Sequence, residues 1–181
     1  MNQRSYYSNS LKNFIDDDNG IILSKLVNNH QFDVSIKQRN SWIKQIEILK
    51  NELNDLDSGQ ILFEYSIPRM GKRVDIIFIY LGFVFVIEFK VNATEYINTD
   101  VNQCLSYTLD LKDFQEQSHD LPLVPILVAT DAPDFDNNLE QFEDKIFKPI
   151  KCNSNNFKKI IQTICENLEG NEINPEIWEK S

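Results

Sequence analysis

Val74-Asp75-Ile76-Ile77-Phe78-Ile79-Tyr80-Leu81-Gly82-Phe83-Val84-Phe85-Val86-Ile87-Glu88-Phe89-Lys90-Val91 is almost entirely β-branched and aromatic apart from its charges, and such composition favours strands. Folding the stretch about Leu81-Gly82 makes a hairpin that sets Ile79 against Val84, Ile77 against Val86 and Asp75 against Glu88. Two carboxylates then lie opposite each other, with Cβ atoms on the order of 5 Å apart. Alternate residues share a face, so Lys90 joins Glu88, and Arg73 is expected opposite Lys90. Like charges opposed on a buried sheet are destabilising and call for compensation, from Lys90 in part or from a divalent cation held by oxygen ligands. Leu-Gly is not the strongest hairpin turn, and a slip of one residue would leave Glu88 and Lys90 together but displace Asp75.

Outside its charges the hairpin is apolar on both faces. Val74, Ile76, Phe78, Phe85, Ile87 and Phe89 are expected on one side, with Ile77, Ile79, Val84 and Val86 on the other. A sheet apolar on both faces needs cover on both, which predicts an α/β, three-layer helix-sheet-helix sandwich around a mixed central sheet. Upstream, Trp42, Ile43, Ile46, Leu49, Leu53 and Leu56 have helical spacing behind an N-cap at Asn40 or Ser41, with Ser58-Gly59 as the stop. Ile61 to Ile67 reads as a strand closed by Pro68. Downstream, Thr99 or Asp100 caps a helix running to about Asp113, with Gln103, Tyr107 and Asp110 on one stripe. Leu123 to Thr130 follows as a strand parallel to the one carrying Glu88, because a helix connects them. Asp134 to Glu143 reads as an acidic loop, Ile146 to Lys151 as a short edge strand, and Phe157 to Leu168 as an amphipathic helix.

An Asp on one strand followed by Glu-x-Lys on the next, here Asp75 with Glu88-Phe89-Lys90, resembles the active-site signature of the PD-(D/E)XK nuclease superfamily. The lead-in Gly71-Lys72-Arg73-Val74-Asp75, an acidic helix upstream and a downstream helix with Gln103 sharpen that resemblance, and the runs Glu64 to Arg69, Gln103 to Phe114 and Pro125 to Thr130 resemble one subgroup, the nuclease-like N-terminal domain of bacterial Schlafen-type helicase or ATPase proteins. The resemblance covers roughly residues 40 to 135. It implies a restriction-endonuclease-like fold and Mg²⁺- or Mn²⁺-dependent hydrolysis of DNA. In that reading Asp75, Glu88 and the carbonyl of Phe89 ligate the metal, and Lys90 handles the attacking water or the charge on phosphate. Gln103 positions water or phosphate, and an extra carboxylate comes from Glu64 in preference to Glu47. Arg69, Lys72, Arg73 and Tyr107 would contact nucleic acid. The competing readings are a structural ion-pair network joining Asp75 and Glu88 to Arg73 and Lys90, a nuclease fold that only binds nucleic acid, and an interaction module that regulates an ATPase.

The 181 residues suit one domain with a full core. We expect residues 1–38 as an extension packed loosely on it, with a short helix from Ser24 to about Asn29, a nuclease-like domain over 39–170, and a tail or linker over 171–181 leading to a helicase or ATPase module. The chain has no Gly-rich nucleotide loop of its own. A net charge of −10 argues against coating nucleic acid by bulk electrostatics and leaves room only for local phosphate contacts. Nothing resembles a membrane span or a signal peptide, so a cytoplasmic location is expected. Cys104, Cys152 and Cys165 lack paired spacing, and His30 and His119 lack partners, so neither zinc nor disulfides are expected.

Overall fold

A computed structural model describes residues 4–30 and 32–181. Six strands, β1 (Tyr7–Ser10), β2 (Gln60–Ser66), β3 (Arg73–Tyr80), β4 (Phe83–Lys90), β5 (Leu123–Ala129) and β6 (Ile150–Cys152), form one sheet in that spatial order. β1 to β4 are mutually antiparallel, and β4, β5 and β6 run parallel. The expected mixed sheet is therefore present, with β5 parallel to β4 after a helical crossover.

Helices α1 (Leu11–Asp16), α2 (Asn19–Asn29), α3 (Ile36–Leu53) and α5 (Phe157–Asn167) supply Leu11, Phe14, Ile22, Trp42, Leu49 and Ile161 to a core that also contains Ile76, Phe78, Phe85, Ile87 and Phe89. On the opposite face α4 (Asn98–Phe114) and α6 (Pro175–Lys180) deliver Leu111 and Trp178 against Tyr65, Ile77, Ile79, Val84 and Val86. Both faces of β3 and β4 are covered, as apolar residues at successive positions require.

The hairpin register is Ile77 with Val86, Ile79 with Val84 and Tyr80 with Phe83. Leu81 and Gly82 both have positive φ, +45° and +82°, the backbone of a type I′ turn, whose twist matches that of the flanking strands. This pins the register at its tip even though leucine is a poor left-handed residue. Gly82 also meets Gly170 and Asn171: the Asn171 N–H donates to the Gly82 carbonyl at 3.0 Å, and a Cβ on Gly82 would stand 2.3 Å from the Asn171 carbonyl oxygen. Backbone lies against backbone there, so nothing can yield cheaply. Gly82→Ala is expected to destabilise the protein by about 2–4 kcal/mol, measured by urea unfolding, while Gly71→Ala, whose Cβ would meet nothing within 4 Å, should cost about 1 kcal/mol from its positive φ alone.

Several boundaries differ from the sequence reading for identifiable reasons. α3 starts more than a turn before Asn40, because the Ser35 hydroxyl accepts the Gln38 N–H at 3.1 Å and caps the helix. The segment from β1 through α2 is integral, since β1 pairs with β2 through Tyr7 and Phe63 and α1 and α2 bury Phe14, Ile22 and Leu26. The polar run Tyr7-Ser8-Asn9-Ser10 carries no strand period, and only the open edge of β2 makes it one. Residues 171–181, expected as a tail, fold back as α6. Trp178 is fully buried, and its indole N–H donates to Ser118 Oγ at 2.9 Å. Ser5 and Ser8 both donate to the Glu179 carboxylate, at 2.5 and 2.7 Å, which ties the two chain ends together. The expected strand over 146–151 is reduced to β6, with a single parallel bridge from Ile146 to Leu123.

Candidate active site

The regular ladders of β2, β3 and β4 give out at one level. β2 pairs with β3 at Phe63 with Ile76 and again at Tyr65 with Val74, but Glu64 and Asp75 between them are skipped. β3 pairs with β4 up to Ile76 with Ile87 and no further. Glu64, Asp75 and Glu88 therefore occupy adjacent strands in the row where the β2–β3 ladder skips a pair and the β3–β4 ladder ends. Glu64 has φ +54°, a left-handed residue inside a strand that acts as a bulge and re-aims the side chains beside it. Phe63 faces the α3 side and Tyr65 the α4 side, although residues two apart ordinarily share a face. Val74 likewise lies with Ile77 and Val86, not with Ile76 and Phe78 as expected.

Carboxylates take over the interrupted ladder. The Asp75 N–H donates to Glu88 Oε1 at 3.1 Å, and the Phe89 N–H donates to Asp75 Oδ2 at 2.9 Å. Each carboxylate thus satisfies a backbone donor on the facing strand that lacks a β-ladder partner. The remaining oxygens, Asp75 Oδ1 and Glu88 Oε2, form no hydrogen bond among the described residues. Glu88 is 4% exposed and Asp75 is half-buried. Burial, followed by the charge of Glu64, pushes Asp75 up to about 7. Burial and then the charge of Asp75 hold Glu88 well above the usual carboxylate range. The ion pairs among the described residues are Lys72 with Asp110 (2.6 Å), Lys90 with Asp100 (3.2 Å), Lys148 with Glu140 and Lys158 with Asp55. Asp75 and Glu88 are in none of them, so the alternative of a structural salt-bridge network through Arg73 and Lys90 does not describe this site.

Lys90 lies on the Glu88 side of β4 and reaches α4, where its ammonium is 3.2 Å from Asp100 Oδ1 and donates to Gln103 Oε1 at 3.3 Å. Gln103 in turn donates to the Tyr107 hydroxyl at 2.8 Å. One turn further, Lys72 stands 5.8 Å over the Tyr107 ring and pairs with Asp110. Four of the residues singled out from sequence, Lys90, Gln103, Tyr107 and Lys72, therefore form one continuous polar strip beside Glu88. Asp100 belongs to it and was read only as a cap. Its spacing of three from Gln103, which puts both on one helix face, is the signal that could have found it.

Arg73 does not belong to that strip. It pairs with Ser66 across β2, and its guanidinium lies 4.3 Å from the centroid of Tyr6, on the α3 side, where its charge lowers the proton affinity of Glu64. The expected opposition of Arg73 and Lys90 fails because the ladder ends before reaching them. Arg69, with φ +63°, is exposed on the β2–β3 turn.

Glu64 is 8% exposed. Its Oε1 accepts the indole N–H of Trp42 at 2.8 Å and the Gln38 amide at 3.3 Å, so it is held on the α3 side, and burial raises its proton affinity. Trp42 is itself braced by His30, whose ring meets it edge-on at 5.8 Å and whose Nδ1 lies 3.2 Å from the Tyr6 hydroxyl. His30, which follows the last residue of α2 and was expected to lack a partner, is part of this brace. Glu47 is exposed on α3. Among the described residues no three His, Cys, Asp or Glu side chains form a ready-made metal cluster. Cys104 and Cys152 are buried and Cys165 is partly so, none of them disulfide-bonded.

No family model matches the chain, and no curated protein matches it. The class is thus set by fold and geometry: an α/β protein with a six-stranded mixed sheet, in which carboxylates on neighbouring strands and one lysine gather where the sheet splays. Among the described residues no helix is long and apolar enough to cross a membrane.

Proposed function

We propose that the chain is a metal-dependent nuclease domain of PD-(D/E)XK type with a restriction-endonuclease-like fold, hydrolysing DNA phosphodiester bonds at Asp75, Glu88 and Lys90. One observation carries the reading. Two carboxylates with raised proton affinity each spend one oxygen on the facing strand's backbone and keep the other free, with an ammonium on the same side of β4 as Glu88. The order of α3, three antiparallel strands, α4 and a parallel β5 supports it.

The donor set fits Mg²⁺ or Mn²⁺. Carboxylate oxygens are the hard ligands these ions take, and the Phe89 carbonyl lies between the two signature side chains in sequence. Two like charges, one buried and one half-buried, with no salt bridge are also an unfavourable arrangement that a cation would relieve. When bound, such an ion supplies charge stabilisation on phosphate and a water of lowered pKa.

The chain's own residues perform the remainder. Lys90 Nζ, held between Asp100 and Gln103, provides a donor for the attacking water or for the phosphate oxygen on which charge builds. Gln103 fixes the lysine through Oε1 and is fixed by Tyr107, so its role is positioning. Lys72 and Tyr107 extend the strip beyond Gln103 and would offer contacts to phosphate, and Arg69 would add a peripheral one. Glu64 sits behind the pair on the α3 side and raises the proton affinity of both. Through that charge it would tighten the hold on a cation.

Incubation of the chain with labelled single- and double-stranded DNA, with Mg²⁺ or Mn²⁺ against EDTA, tests this. Cleavage only with the ion is the expected result, and cleavage unaffected by EDTA would overturn it.

A further inference from the structure

The N-terminal turns of α3 and the end of β4 enclose an open cavity of about 620 Å³, whose lining includes Ile36, Lys37, Asn40, Ser41, Phe89 and Lys90. Phe89 and Lys90 belong to the signature itself, so the cavity abuts the proposed active site from the α3 side. Its charge is anomalous: in a chain of net charge −10 the lining holds two lysines and no carboxylate. Lys90 is committed to Asp100, whereas Lys37 is exposed and in none of the ion pairs among the described residues. Ile36 is 80% exposed at the mouth, an apolar side chain outside both hydrophobic cores formed by the described residues.

We propose that this cavity is a subsite for one unpaired nucleotide next to the scissile phosphate, so that the nuclease acts on single-stranded or frayed DNA. The inference rests on the nuclease reading above and names its substrate class. An acidic protein gains little from counterion release, which scales with the number of phosphates neutralised, and affinity must then come from stacking and from a few local contacts. The cavity supplies apolar contact from Ile36 for the face of a base, and Lys37 and Asn40 for the adjoining phosphate and base edge. Its size falls in the range of about 300–1,000 Å³ usual for small-ligand pockets. Inside a duplex the face of a base is covered by its neighbours, so only an unstacked nucleotide can present it.

The test is fluorescence anisotropy in EDTA, where no metal-dependent turnover occurs, with labelled dT20 and the dT20·dA20 duplex as probes. The double variant Ile36→Ser, Lys37→Ala changes only exposed residues, so its fold is not at risk. It is expected to bind dT20 about tenfold more weakly and the duplex less than about twofold more weakly. Equal losses on both probes, no loss on dT20, or no measurable binding of dT20 by the unaltered chain would each overturn the subsite. Cleavage with Mg²⁺ or Mn²⁺ is scored separately. A chain that cleaves but whose dT20 affinity ignores the double variant rejects the subsite alone, and one that binds as expected but never cleaves rejects the nuclease reading.

Discussion

Glu88→Gln is expected to reduce Mg²⁺-supported DNA cleavage by at least about a hundredfold, with the fold intact. The amide keeps an oxygen that can accept the Asp75 N–H as Oε1 does at 3.1 Å, so the interrupted ladder stays satisfied, while the negative charge that would hold the ion is gone. Lys90→Met should lower cleavage to a similar degree for a different reason: the methionine fills much of the lysine's volume but has no donor for water or phosphate. The two can be told apart by titrating Mn²⁺. Excess ion should partly restore Glu88→Gln, whose defect is affinity, and should leave Lys90→Met unchanged. Gln103→Ala, removing a positioning residue, should raise the metal-saturated activity loss by only about tenfold and should be mitigated by Gln103→Glu, which keeps an acceptor for the Lys90 ammonium. Full activity in Glu88→Gln at low Mg²⁺ would remove the carboxylate pair from the mechanism.

The same pair should make the metal-free protein more stable without one of its charges. At pH 8 in EDTA, Asp75→Asn is expected to be more stable than the unaltered chain by about 1–3 kcal/mol. Asp75 binds its proton more tightly in the folded state, up to about 7 against the ordinary 3.8, and Glu88 shifts in the same direction. Between the two values the folded chain holds more protons than the unfolded one. Stability contributed by the protonated form is thus fully present below the ordinary carboxylate range and is lost as pH rises through about 7. The advantage of Asp75→Asn should accordingly shrink toward pH 5 and widen toward pH 8. Millimolar Mn²⁺ should reverse the order, because the ion binds the folded chain with both carboxylates and stabilises it by mass action. Melting curves at pH 5, 6.5 and 8 with and without Mn²⁺ check this. An unaltered chain more stable than Asp75→Asn at pH 8 in EDTA would mean that some other cation already neutralises the pair.

The approach of Asp75 to Glu88 was legible because it depends on a two-residue turn and a period of two, both local quantities. So was the cover on both faces, since alternate and intervening residues of β3 and β4 are equally apolar. The helix carrying Gln103 was legible from its spacing, and so was the strand parallel to β4. Less so were the side chains around the pair. The left-handed φ of Glu64 puts Phe63 and Tyr65 on different faces and leaves Glu64 under Trp42. Arg73 was expected beside Lys90 and lies on Tyr6. Trp178 lies in the segment expected as a tail, and the residues that receive it, Tyr65 and Ser118, are more than fifty residues away.

By itself, then, the sequence determined strands β2 to β5, their register through Leu81-Gly82, the layered architecture and the meeting of Asp75 with Glu88, because each follows from side-chain periodicity along a short segment. Only the tertiary structure decided that the β2–β3 ladder breaks and the β3–β4 ladder ends in the row of Glu64, Asp75 and Glu88, that Lys90 leans on Asp100, that Arg73 turns away, and that a lysine-lined cavity opens beside Phe89. These depend on where strands from separate parts of the chain cease to pair and on which helix then lies across the gap, and no local pattern encodes that.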